Sequence, residues 1–280
     1  MVHRPLDFPN RSPFLFDLDD SFKCWVILGR LGGAGARPNP LFRSYFLWAK
    51  SMKPEIVALI GVRGGSQRVK NKNSRPFAGS NLLSIKVETL LSVRGISRVI
   101  VNSECEQLLD IARRAGAETV VRDPAFATDH VTTSDYYKHV AENCPGDIIL
   151  SATVTTPLFR SESYEIGIRQ FEDAERAGYD SVTSCCAVKE FLYQDGKALN
   201  YDPSRQVRSQ DLPNIVAINY GYSIIRRTDM IRLKNIVGRQ PLMVETPRVE
   251  SIDIDTAEDF FIAATLYQAL REQVPARAAA

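Results

Sequence analysis

At 280 residues, 44% hydrophobic and 24% charged, the chain is long enough for one large α/β domain or two small ones. Its 35 Lys and Arg against 33 Asp and Glu leave a formal net charge of +2, which gives no global electrostatic reason to expect nucleic acid or an anionic membrane as partner. No apolar run reaches the roughly 18 residues of a spanning helix, and five cysteines without a C-x-x-C pair fit reduced thiols in a cytoplasmic protein.

Residues 1–52 read as a leader, poorly ordered or outside the native chain. From Met1 to Ser51 the text is rich in Pro, Arg, Phe and Gly, lacks Glu, and sustains no period of 2 or 3.6. Cys24–Leu28 followed by GRLGGAGA imitates a strand and a phosphate loop, but the amphipathic helix that such a loop needs does not follow. Met52 stands directly before KPEIVALIGV, so residues 53–280 are expected to form the working domain.

From there strands and helices alternate. Ile56 to Val62 is a continuous apolar run, as in a strand buried on both faces. Ser80 to Leu91 has helical spacing, with Ser80 or Asn81 as its cap. Val99 to Asn102 predicts a strand, Glu104 to Ala115 a helix stopped by Gly116, and Thr119 to Arg122 a third strand. A helix over Ser134 to Asn143, a strand over Asp147 to Ala152, a helix over Ser161 to Arg176 and a strand over Ser181 to Val188 continue the rhythm. Lys189 to Val216 breaks it: polar and turn-rich, this segment is either a long surface loop or an arm or hairpin reaching over the site or onto a second subunit. Asn219 to Ile225 and Leu242 to Glu245 read as strands. Thr256 to Leu270 reads as a closing helix with Phe260, Ala263, Ala264 and Tyr267 on one side, followed by a frayed tail. The pattern predicts a mostly parallel sheet between helices, with ligands beyond the carboxyl ends of its strands.

Two stretches carry chemistry. In VRGGSQRVKNKN, Gly64 and Gly65 after the first strand allow a tight turn and a close approach of backbone amides to a ligand. Arg63 and Lys72 can neutralise phosphate oxygens there, and Ser66 and Asn73 can donate hydrogen bonds; Arg68, Lys70 and Arg75 are either part of the same site or solvated charges. In SIDIDTAEDF, Asp253 and Asp255 fall on one face of an extended segment, a pair of hard oxygen donors suited to Mg²⁺, unless Asp255 or Thr256 serves only as a helix cap.

These stretches resemble the signatures of the acylneuraminate cytidylyltransferases, the CMP-sialic acid synthetases: VRGGSQRVKNKN is similar to their R-G-G-S-K-G-I-P-x-K-N, and SIDIDTAEDF to their C-terminal D-x-D. Between them VVRDPAFATD resembles R-P-x-x-x-A-x-D, TTPLFR resembles T-S-P-L-R, SQDLP resembles R-Q-D-L-P and INYGYSII resembles N-G-A-I-Y-I, in the same order. The resemblance implies a Rossmann-like three-layer nucleotidyltransferase fold with a protruding dimerisation arm at residues 189–217. It also implies CMP transfer from CTP to the anomeric hydroxyl of a nonulosonic 2-keto sugar acid, with release of pyrophosphate. By the same resemblance Arg63, Gly64, Gly65, Ser66, Lys72, Asn73, Arg122 and Thr133 hold the nucleotide, and Asp253 and Asp255 hold Mg²⁺. Thr153, Gln210 and Asn219 fall on the sugar side, and Arg208 joins Arg63, Lys72 and Asp255 as a catalytic candidate. The chain departs from the family pattern where its lysine is Gln67, where its glutamine is Thr153, and where its arginine is shifted to Arg208. A catalytically silent nucleotide-binding paralogue and a D-x-D glycosyltransferase share parts of the pattern.

Overall fold

The computed structural model describes residues 54–65 and 68–273; the expected leader, Ser66, Gln67 and residues 274–280 lie outside the described residues. Strand β1 (Ile56–Gly61) is buried at its first five positions. Ile56, Ala58 and Ile60 face one apolar cluster, and Val57 and Leu59 face the other. Period-2 alternation with apolar side chains on both sides is what a strand covered on two faces requires.

Beside it run β2 (Arg98–Ser103), β3 (Glu118–Val121) and β4 (Ile148–Ser151). Then come β5 (Ser181–Val188), β8 (Ile215–Arg226) and β9 (Pro241–Glu245). The seven-stranded sheet has the order β3-β2-β1-β4-β8-β5-β9. Within it β8 alone is antiparallel to its neighbours, pairing with β4 on one side and β5 on the other.

Helices cover both faces. Helices α1 (Leu82–Leu91), α2 (Glu106–Arg114), α4 (Ser161–Arg176) and α6 (Ala257–Gln273) contribute to the larger cluster. Helices α3 (Thr133–Glu142) and α5 (Arg227–Leu233) contribute to the smaller one. Asn81 caps α1, its side-chain oxygen accepting from Ser84 N at 2.9 Å. The start of α6 is closed by Thr256 and Asp259: Asp259 Oδ2 accepts from Thr256 N at 2.8 Å, and Thr256 Oγ1 accepts from Asp259 N at 3.2 Å. Thr256 therefore does the capping, which leaves the Asp255 side chain for other work.

The structure extends two expectations. β8 begins at Ile215 rather than Asn219, so the segment outside the sheet is shorter than its composition implied. α5 went unread because its seven residues, with Met230, Ile231 and Leu233 as the apolar ones, are too few to sustain a helical period. The expected arm contains a small hairpin, β6 (Tyr193–Gln194) and β7 (Lys197–Ala198). It turns at Asp195 and Gly196, both with positive φ, the backbone of a tight two-residue hairpin turn.

The first turn and the last helix are joined through Phe77, 1% exposed, whose ring meets those of Phe260 and Tyr267 at centroid distances of 5.2 and 5.6 Å. Phe77→Ala is expected to cost about 3–5 kcal/mol of unfolding free energy, read from urea denaturation.

Candidate active site

The glycine turn leaves the carboxyl end of β1 at Arg63 and returns through a tight turn over residues 69–73, where Lys72 N donates to Val69 O and Arg75 N to Asn71 O. Gly65 has φ +72, a conformation that side chains resist, and open space beyond its α-carbon. The Gly64 amide is already spoken for: it donates to Glu104 Oε1 at 2.7 Å. Asn73 braces the turn from below, donating to Arg63 O at 3.3 Å. The Arg63 guanidinium donates to Asp129 at 2.6 Å. That hydrogen bond, together with the charge behind it, lowers the Asp129 pKa.

Opposite this turn lies the lead-in to α6. Ile254 is fully buried, while Asp253 and Asp255 on either side of it turn outward onto one face. Ile254 is held at both ends: its amide donates to Thr155 O at 2.9 Å, and its carbonyl accepts from Lys72 Nζ at 2.6 Å. Lys72 is thereby drawn into the acidic pair. Desolvation lowers its pKa, with Asp253 and Asp255 pulling back upward. Asp253 is raised, first by desolvation; the Thr155 hydrogen bond opposes that shift and the Asp255 charge adds to it. Asp255 meets Arg68 at 2.9 Å.

Between β1, β4 and β8 a cleft of about 160 Å³ opens, lined in part by Gly61, Tyr136, Tyr137, Thr153 and Tyr220. A side chain at Gly61 would run into the Tyr136 hydroxyl, so glycine is what lets the aromatic ring lie over the end of β1. Thr153 closes another side, its hydroxyl donating to Tyr220 O at 3.0 Å.

A family model described as cytidylyltransferase matches residues 57–229. The chain belongs to the cytidylyltransferase family. It is 26% identical to the N-acylneuraminate cytidylyltransferase of Escherichia coli O18:K1:H7, over 79% of this chain and 54% of that one. It is 24% identical to the pseudaminic acid cytidylyltransferase of Campylobacter jejuni, over 77% and 97%. The chain thus spans about half the length of the first relative and nearly all of the second. A solved structure of CMP:2-keto-3-deoxy-manno-octonic acid synthetase complexed with CTP shares the fold at TM-score 0.55 and 17% identity, over 78% of this chain and 99% of that one. A 4-diphosphocytidyl-2C-methyl-D-erythritol synthase does so at 0.56 and 13%, over 76% and 99%. The fold is the Rossmann-like nucleotidyltransferase fold anticipated from the motifs.

The structure brings Arg63, Gly64, Gly65, Lys72, Asn73, Asp253 and Asp255 together, with Thr153 joined to them through the turn after β4. Arg122 is close by but different in kind from the expected ligand contact. It is 3% exposed, and it donates to Asn102 Oδ1, Val62 O and Asn102 O at 2.7 to 2.9 Å, a strut beneath the turn. Thr133 is exposed at the first position of α3, where Thr132 is the cap. Gln210 lies on a 3-10 turn (Ser209–Asp211) in the segment between β7 and β8; Arg208 caps that turn and pairs with Asp211.

Asn219 requires correction as a substrate contact. Its amide donates to Thr246 and Ser251, both at 2.8 Å, and accepts from Ser184 Oγ at 2.6 Å and Gly221 N at 3.2 Å. Two donors and two acceptors exhaust that side chain, leaving nothing for a ligand. Sequence reasoning also passed over Glu104 and Asp129, which touch the glycine turn from β2 and from the loop after β3. Asp129 stood in the quoted VVRDPAFATD motif, and Glu104 directly follows a strand end. Asn219→Ala should cost about 2–3 kcal/mol of stability in urea unfolding by stranding its buried partners.

Proposed function

We propose that this chain transfers CMP from CTP to the anomeric hydroxyl of a nonulosonic, sialic-acid-like 2-keto sugar acid, releasing pyrophosphate. The observation that carries the reading is Lys72 seated between the glycine turn and the outward-facing Asp253 and Asp255, within a family whose members matched here are named for N-acylneuraminate and pseudaminic acid. Arg63 and Lys72 neutralise the triphosphate, and the Gly65 amide donates to it, with Asn73 fixing the shape of the turn. By the family resemblance Ser66, outside the described residues, and Thr133, at the start of α3, are further nucleotide contacts. The cleft beside Gly61 and the tyrosines takes the base.

Asp253 and Asp255 fit Mg²⁺. Their oxygens are hard donors on one face, and phosphate oxygens and water would supply the rest of the shell. When bound, that ion offsets the charge on the phosphate oxygens and on the leaving pyrophosphate. The sugar hydroxyl attacks the α-phosphorus in line, its proton passing to water, as the bond from that phosphorus to the α,β-bridging oxygen breaks and pyrophosphate leaves. The protein's contribution is positioning and charge neutralisation by Arg63 and Lys72.

Thr153 faces the acceptor side. Arg208 and Gln210, on an arm with an exposed hairpin, reach the acceptor or the leaving phosphates, in this or a neighbouring subunit of a homodimer. Such an enzyme works in the cytoplasm, where CTP is available.

Pyrophosphate release from CTP and Mg²⁺ should be seen with one of sialic, legionaminic or pseudaminic acid; silence across all three would remove the reading. Asp255→Asn should lower Mg²⁺-dependent turnover about 100-fold without unfolding the protein, and near-normal rates would dismiss the metal assignment. Arg63→Ala is expected to weaken CTP binding about tenfold in calorimetric titration, and unchanged affinity would take that residue out of the site.

A further inference from the structure

Lys86 sits on α1 with 1% of its surface exposed. Its Nζ donates to Tyr164 Oη at 2.7 Å and Thr156 O at 2.9 Å, with Thr156 Oγ1 at 3.4 Å. The rings of Tyr164 and Phe159 lie 5.3 and 5.7 Å away. Among the described residues no carboxylate lies within ion-pairing distance of it. The acidic side chain that acts on it is Glu250, itself fully buried and taken up by Arg160, whose Nε donates at 2.7 Å and whose amide donates at 3.3 Å.

An ammonium without a counter-ion is an expensive way to fill a core, and an unbranched apolar side chain of similar length would serve packing better. What an apolar side chain cannot do is hold the Thr156 carbonyl. That carbonyl belongs to the turn Thr153–Thr156, from which several contacts of the site depart. Thr156 Oγ1 donates to Thr153 O at 3.3 Å, and Thr153 donates to Tyr220 O. Thr155 O accepts from Ile254 N at 2.9 Å, the residue between Asp253 and Asp255.

We propose that Lys86 is a positioning residue that locks the Thr153–Thr156 turn from beneath, so that the Thr155 carbonyl keeps Ile254 in place and the aspartates flanking Ile254 keep their spacing to Lys72. Only the kinetic arm of its test rests on the cytidylyl-transfer reading.

Burial holds the Lys86 pKa down at about 7, against an ordinary 10.5, with Glu250 opposing. Tyr164, the other titratable group on Nζ, is pushed well above its usual value by burial and stays neutral. Between pH 7 and 10.5 the unfolded chain carries a proton that the folded chain lacks, so wild-type stability rises with pH across that window. The cost of the lysine is full below pH 7.

Lys86→Met tests the proposal by three readouts. Amide hydrogen exchange should quicken about tenfold in peptides spanning 153–156 and 251–256 while β1 and β2 keep their protection. The melting temperature at pH 7 should equal or exceed that of wild type, with any gain narrowing toward pH 10. In the pyrophosphate assay the Mg²⁺ requirement should rise about tenfold, with the KM for CTP at saturating Mg²⁺ within about twofold. Tyr164→Phe, which keeps the volume and the Thr156 contact, should show the same exchange pattern to a smaller extent. Unchanged exchange in both segments overturns the proposal. So does a fall in melting temperature with loss of protection everywhere, which would mark Lys86 as structural only. If wild type turns over none of the sugar acids, the functional reading fails while the exchange experiment still decides the role of Lys86.

Discussion

The site depends on one buried residue held at both ends. Ile254 donates its amide to the turn after β4 and offers its carbonyl to Lys72, which stands 182 positions earlier in the chain. Because the side chain of Ile254 is sealed in the core, its two neighbours have only the outer face available, and both are aspartates. A strand-like alternation of three residues thereby converts hydrophobic burial into a paired carboxylate with a lysine beside it. The aromatic contact of Phe77 with Phe260 and Tyr267 reinforces the same junction from the core side. The first turn and the last helix are thus two halves of one object, and neither half is shaped without the other.

The charges around this junction are provisionally satisfied within the protein. Arg63 rests on Asp129 and Arg68 on Asp255, all four side chains being substantially open to solvent. Exposed pairs of this kind hold weakly, because water competes and two long side chains must be ordered. They keep cations from repelling one another around the turn, yet they can be exchanged for a polyanion at small cost. Arg122 is the contrasting case. Its guanidinium is spent on backbone carbonyls and Asn102, lies 4.8 Å from the centre of the Tyr136 ring, and has Glu104 at 3.5 Å. The deep arginine shapes the turn, and the shallow one keeps its guanidinium open to solvent beside it.

Which of this was legible in the sequence follows from the range of the interactions involved. Strands and helices with apolar periods, such as β1 and α4, could be read within a residue or two, because burial of one face leaves a local imprint. So could the glycine turn and the D-x-D, whose chemistry is carried by neighbours in sequence. The antiparallel placement of β8 could not be read, since strand direction is decided by partners far along the chain. The engagement of Asn219 escaped for the same reason: its partners Ser184, Thr246 and Ser251 are 27 to 35 residues away. Nothing local in the sequence marks Lys86, and only its depth in the fold distinguishes it from a solvated lysine.

The irregularity in β8 explains why a buried asparagine belongs there. Along β5 the pairing with β8 jumps between Thr183 and Cys185: two positions on β5 correspond to five on β8, from Ser223 to Ile218. The extra residues form a bulge with Tyr220 at φ +53, a strained conformation for an aromatic residue. Ser184, opposite the bulge, fills the break: its hydroxyl donates to Asn219 and accepts the Tyr222 amide at 2.9 Å. Asn219 then ties the bulge to Thr246 after β9 and to Ser251 before the aspartate pair. The bulge is what offers the Tyr220 carbonyl to Thr153 and places the Tyr220 ring at the cleft. The asparagine shapes this side of the cleft through bonds that stay within the protein. A distortion of one inner strand, held by a fully bonded amide, lets an otherwise regular sheet present a tyrosine and a threonine together at the mouth of the site.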